Sequence, residues 1–99
     1  MNLKQLYYFK RLSETEHYTE AASSLFITQP SLSHAIAELE KELGVSLFFR
    51  QGRNVRISES GKCFLPYVET ALSALENGRD RLKNNHLLCR ENIRMGFIY

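Results

Sequence analysis

A mainly α-helical chain, with one short β-hairpin between its third and fourth helices, is predicted by three features of this 99-residue sequence. Apolar residues recur at three- and four-residue steps in separate stretches, the spacing of a helical face. That rhythm breaks at Val45, and residues 49–57 read as two short strands around a turn of Gln51, Gly52, Arg53 and Asn54. Small polar residues and a glycine stand where helices should begin and end, at Thr28, Gly44 and Ser58.

The first helix is expected over residues 3–13, with Leu3, Leu6, Phe9 and Leu12 facing inward. Residues 14–18 connect it to a short second helix, for which Thr19 is the expected N-cap and which ends near Leu25. Ala21 and Ala22 are small enough for another helix to cross closely over them. Phe26 and Ile27 form a turn, and the third helix follows from Gln29 to Leu43 with Leu32, Ile36, Leu39 and Leu43 on its apolar face. Thr28 caps it, and Pro30 occupies its first turn, where a missing N–H costs nothing. Gly44 is placed to end it in a left-handed conformation. Leu47 and Phe48 anchor the hairpin to the core, and Ser58 caps a fourth helix that begins with Glu59 and Ser60.

Gln29, Ser31, Ser33 and His34 fall near the start of the third helix and off its apolar stripe. They are available for hydrogen bonding without being needed for packing. Two helices joined by a tight turn, the second opening with such residues, make a helix-turn-helix, whose second helix offers its N-terminal side chains to base edges in the major groove.

An ordered series of motifs carries a wider likeness. Leu3, Leu6 and Phe9 are followed by Ala21, Ala22 and Leu25, and then by Thr28 to Ser33 as TQPSLS. Ile36, Leu39, Glu40, Leu43 and Gly44 come next, then Leu47, Phe48 and Arg50, Arg53 and Arg56, and Ser58 with Gly61. In this order the sequence resembles the amino-terminal part of LysR-type transcriptional regulators of bacteria, collinearly from Met1 to about Leu88. The resemblance implies a winged helix-turn-helix over residues 1–58 and a dimerising linker helix over residues 59–88. It also implies that residues 89–99, with their run IRMGFIY, begin an effector-binding domain cut short here, so that the chain is expected to be a piece of a larger protein. His34 departs from the pattern, which commonly has arginine there, and neutral imidazole lacks the guanidinium fork that grips guanine or phosphate.

Composition limits the other possibilities. An apolar content of 43% suits a globular chain. No apolar run nears the ~20 residues needed to cross a bilayer, so a cytoplasmic, membrane-free location is expected. Cys63 and Cys89 lie far apart without CxxC spacing, which suggests reduced thiols and no metal site. His17, His34 and His86 belong to separate elements, and no metalloprotease, phosphate-loop or serine-hydrolase motif is present. Neither an enzyme nor a cofactor is expected. The net charge of +2 is slight, but Arg50, Arg53 and Arg56 cluster in the hairpin against Glu59 alone, which suits phosphate contact. Glu38, Glu40, Lys41 and Glu42 read as a solvated face.

The residues expected to contact DNA are therefore Thr19, Thr28, Gln29, Pro30, Ser31, Ser33, His34, Arg50 and Arg53. Gln29 can pair bidentately with adenine, and Thr28 and Pro30 offer apolar surface to a thymine methyl. Ser31 and Ser33 suit a base edge or phosphate and equally suit capping or solvent. Arg50 and Arg53 suit the backbone or minor groove, Arg56 reads as a solvated strand residue, and Thr19 can meet a phosphate. Leu65, Val68, Leu72, Leu75 and Leu82 form an a/d-like seam on a fourth helix expected to reach His86. Such a helix would be ~40 Å long at 1.5 Å per residue, too long for this small domain to cover, which points to a homodimer. The expected partners are double-stranded DNA with an interrupted dyad and a second copy of the chain. A full-length form would add a tetramer and, with its carboxy-terminal domain, a small-molecule effector. A module that had lost DNA binding and kept only assembly is the competing reading; the intact TQPS and the hairpin arginines weigh against it.

Overall fold

Asn2 starts the first helix with two reciprocal bonds. Its side chain accepts from the Gln5 N–H at 2.9 Å, and its own N–H donates to Gln5 Oε1 at 3.2 Å, a capping box. The structure is a computed structural model in which residues 1–84 are described. Its elements are α1 (Leu3–Thr15), α2 (Tyr18–Ser24), α3 (Gln29–Leu43), β1 (Phe48–Gln51), β2 (Asn54–Ile57) and α4 (Glu59–Asn84). The expected end of α4 at His86, the reading of Cys89 and the IRMGFIY run lie outside the described residues.

Helices α1, α2 and α3 pack on one another, and β1 and β2 pair antiparallel with Arg50 opposite Val55 and Gln51 opposite Asn54. The shared core takes Phe9 and Leu12 from α1, Ala21 and Ala22 from α2, Leu32, Ile36 and Leu39 from α3, and Leu47, Phe48 and Val55 from the hairpin. Each large side chain buried there contributes ~1.5–3 kcal/mol relative to exposure. The Phe9 ring lies 5.5 Å from Phe48, edge to face, and 5.6 Å from Phe64 of α4. Leu3, expected inward, is half exposed, because it opens α1 and the buried part of that helix lies further along.

Two local expectations change. The N-cap of α2 is His17, not Thr19: His17 has the extended backbone a cap requires, and its Nδ1 accepts from the Glu20 N–H at 3.3 Å. Thr19 is thereby moved into the first turn of α2, where its hydroxyl points to another helix. Glu40 is not part of a solvated face. Its carboxylate accepts from the N–H groups of Leu47 at 2.6 Å and Phe48 at 3.3 Å, tying the last turn of α3 to the start of β1.

Gly44 ends α3 with φ of 73°. Ser58 begins α4: its hydroxyl accepts from the Gly61 N–H at 3.0 Å and donates to the Ser46 carbonyl at 2.6 Å. Gly61 is a close-approach position, since a Cβ there would lie 2.4 Å from the Leu47 carbonyl oxygen and 2.6 Å from Ile57 Cγ1. Alanine at an ordinary helical site gains ~1 kcal/mol over glycine. Here the clash is with backbone, so Gly61→Ala is expected to destabilise by ~1–3 kcal/mol, read as a lower urea midpoint.

Met1–Glu69 forms one compact unit, and a second begins at Thr70, so the division falls inside α4. Of the seam residues on α4, Val68 and Leu72 are buried and Leu65 is partly so, whereas Leu75 and Leu82 are 51% and 43% exposed.

Candidate nucleic-acid interface

The apolar face of α3 is buried through Leu32, Ile36 and Leu39, so the opposite side of its first turns must face solvent. Thr28, Gln29, Pro30, Ser31, Ser33 and His34 are all exposed there, as the sequence predicted. Thr28 is the cap. Its Oγ1 accepts from the Ser31 N–H at 3.2 Å and donates to Ser31 Oγ at 2.8 Å. Ser31 Oγ thus accepts one local bond and keeps its own O–H, while Pro30, Ser33 and His34 stand exposed beside it.

Thr19, from α2, reaches across the turn and donates from its hydroxyl to Gln29 Oε1 at 3.1 Å. This uses one of the two lone pairs on the amide oxygen. The second lone pair and both amide N–H groups stay available, so the bond fixes the side chain without consuming its ability to read a base. Thr19 is thus an orienting neighbour of Gln29, a role its position in the sequence did not show.

The wing lies in the same compact unit. Arg50 and Arg53 are exposed and form no ion pair among the described residues. Gly52 takes φ of 64° at the tip, so Arg53 stands on a tight turn. Arg56 has partners that the sequence did not show. Its Nε lies 3.2 Å from Glu16 Oε2, and its guanidinium also donates to Gln51 Oε1 at 3.2 Å. It is an exposed strand residue, as expected, but one with partners on Glu16 and Gln51.

Tyr18, at the start of α2, was not among the expected site residues. Burial and then the nearby Glu40 carboxylate raise its phenol above the ordinary range, while Arg50 opposes them. The hydroxyl is therefore protonated at neutral pH, with an acidic group of α3 and a cation of the wing both acting on it. Its signal in the sequence was only an aromatic residue at the end of the expected connector. Among the described residues no group of histidine, cysteine or carboxylate side chains has metal-binding geometry.

A model of bacterial regulatory helix-turn-helix proteins of the lysR family matches residues 3–62. The HTH-type transcriptional regulator YybE of Bacillus subtilis is 43% identical over 83 residues, which cover 84% of this chain and 28% of that protein. The transcriptional dual regulator GltC of the same species is 40% identical over 97 residues, covering 98% of this chain and 32% of its own length. The chain thus spans about a third of these relatives or less. Among solved structures, a complex of BenM DBD with benA site 1 DNA superposes with a TM-score of 0.79 at 37% identity, covering 85% of this chain and 98% of that one. A CbnR DBD–DNA complex gives 0.79 at 29% identity, with 86% and 98% covered. The buried α2–α3 crossing, the exposed opening of α3, the two-stranded wing and these likenesses agree: the chain belongs to the lysR family of bacterial regulatory helix-turn-helix proteins.

Proposed function

We propose that the chain is the DNA-binding and dimerisation part of a sequence-specific transcription regulator. The first turns of α3 enter the major groove, and Arg50 and Arg53 lie on the backbone or in the minor groove. The observation that carries this reading is Gln29: exposed at the start of α3, oriented by Thr19, and in one unit with two unpaired wing cations. Thr28 and Pro30 add apolar surface, Ser33 and His34 add polar contacts, and Ser31 supports the cap. The family is one of regulators, not enzymes. Family membership and the DNA complexes of BenM and CbnR support the partner.

One helix-turn-helix reads a few base pairs, so two copies joined through Leu65, Val68, Leu72, Leu75 and Leu82 would meet an interrupted dyad. In a longer protein, a further domain would bind the effector and complete a tetramer. No described helix is long and apolar enough to cross a membrane, and a cytoplasmic location is proposed with the function.

Binding to random-sequence and upstream duplexes at several salt concentrations tests the reading. Each phosphate neutralised contributes a slope of about −0.9 to log affinity against log salt. Arg53→Ala is expected to weaken binding to both duplexes and make the slope shallower by about one unit. A parent chain that binds neither duplex would refute the function. An unchanged slope would remove Arg53 from the phosphate contacts.

A further inference from the structure

The outer edge of the wing is closed by a residue of another element. In an antiparallel pair, alternate N–H groups of each strand point away from the partner. On β2 these are the N–H groups of Val55 and Ile57, and both go to Glu16. The Val55 N–H donates to the Glu16 carbonyl at 3.1 Å, and the Ile57 N–H donates to Glu16 Oε2 at 3.4 Å. The same Oε2 holds Arg56 Nε at 3.2 Å. Glu16 is the residue after α1, and its φ of 55° is left-handed, a strained conformation for a side-chain-bearing residue. That backbone turn brings both its carbonyl and its carboxylate to one strand edge.

We infer that Glu16 is a positioning residue for the wing: it anchors β2 to the end of α1 and holds Arg56 aside, so that Arg50 and Arg53 are the wing cations presented to phosphate. The inference deepens the DNA-binding reading and rests on it for its functional half. A two-stranded ribbon is marginal alone, so an external anchor decides where its tip stands. Without the carboxylate, β2 would keep only the Val55 bond to α1, and the ribbon would otherwise rest on the Glu40 bonds at the start of β1 and the packing of Phe48 and Val55.

Two variants separate the anchor from simple charge. Removing a carboxylate near a polyanion site tightens DNA binding if charge is all that matters. In Glu16→Ala the carboxylate half of the anchor is lost with the charge, so binding to a random-sequence duplex is expected to weaken about three- to tenfold despite the charge gain. Glu16→Gln loses the same charge but keeps an oxygen for the Ile57 N–H, and it should bind at least as tightly as the parent chain. Amide hydrogen exchange at Ile57 in the free protein should quicken about tenfold in Glu16→Ala and change little in Glu16→Gln. Arg56→Gln should leave the salt slope unchanged, in contrast to Arg53→Ala. Unchanged Ile57 exchange in Glu16→Ala overturns the inference, as does a shift of affinity in the same direction for both Glu16 variants. A shallower slope in Arg56→Gln overturns the part that holds Arg56 aside. If the parent binds no duplex, the function fails, and exchange at Ile57 still decides whether Glu16 anchors the wing.

Discussion

Gln29→Ala is expected to cost ~1–3 kcal/mol of binding to a specific operator, a loss of roughly five- to 150-fold, while leaving random-sequence binding nearly unchanged. The reason is the division of labour within the interface. Backbone cations supply affinity without sequence, and groove-facing hydrogen bonds supply discrimination. Gln29 is uncharged and exposed, so its removal takes away no phosphate-neutralising charge and opens no cavity. The Thr19 bond adds to the expected loss, because a side chain already held in place gives up less rotamer freedom on binding. Parallel titrations of operator and random duplexes at one salt concentration make the comparison. Equal losses on both would show that Gln29 grips the backbone rather than reading a base.

The elements governed by local chemistry were legible before the fold was known. The Thr28 cap, Pro30 in the first turn and Gly44 at the end of α3 each act within a few residues, and all three take the conformations their residue types favour. The exposed opening of α3 followed from the same pattern, since fixing its apolar face fixes the opposite one. What the sequence did not show depends on through-space pairing. Glu16 and Ile57 are 41 positions apart, and nothing in their neighbourhoods marks a bond between them. Glu40 looked like one more carboxylate on a charged helix face until the chain turned back to place the N–H groups of Leu47 and Phe48 against it. The cap of α2 was misplaced because Thr19 is the stronger capping residue by type. His17 holds the role because its backbone is extended where the helix begins.

The largest expected effect lies in α4. Val68 and Leu72 are already buried in a single copy, whereas Leu75 and Leu82, at 51% and 43% exposure, have apolar surface still to lose. Fully burying a leucine is worth ~1.5–3 kcal/mol before ordering costs. Two half-exposed leucines from each of two copies would contribute ~3–6 kcal/mol toward a dimer, to which the rest of the helix contact adds. Linking two DNA-binding units raises affinity for a two-part site by roughly 10²–10⁴, because the second contact becomes intramolecular. Replacing Leu75 and Leu82 together by Asp should therefore give a monomer with the parent's helical circular dichroism and an operator affinity lower by about that factor. Binding to a single half-site should be nearly unchanged, which separates lost assembly from lost folding. Leu72 is a poor choice for this test, since a charge at a position only 2% exposed would damage one copy before it reported on two. Sedimentation that finds the parent chain monomeric at the concentrations where it binds operator would overturn the proposal. An Asp double variant that binds the full operator as tightly as the parent would overturn it equally, because nothing but the link between copies should have changed.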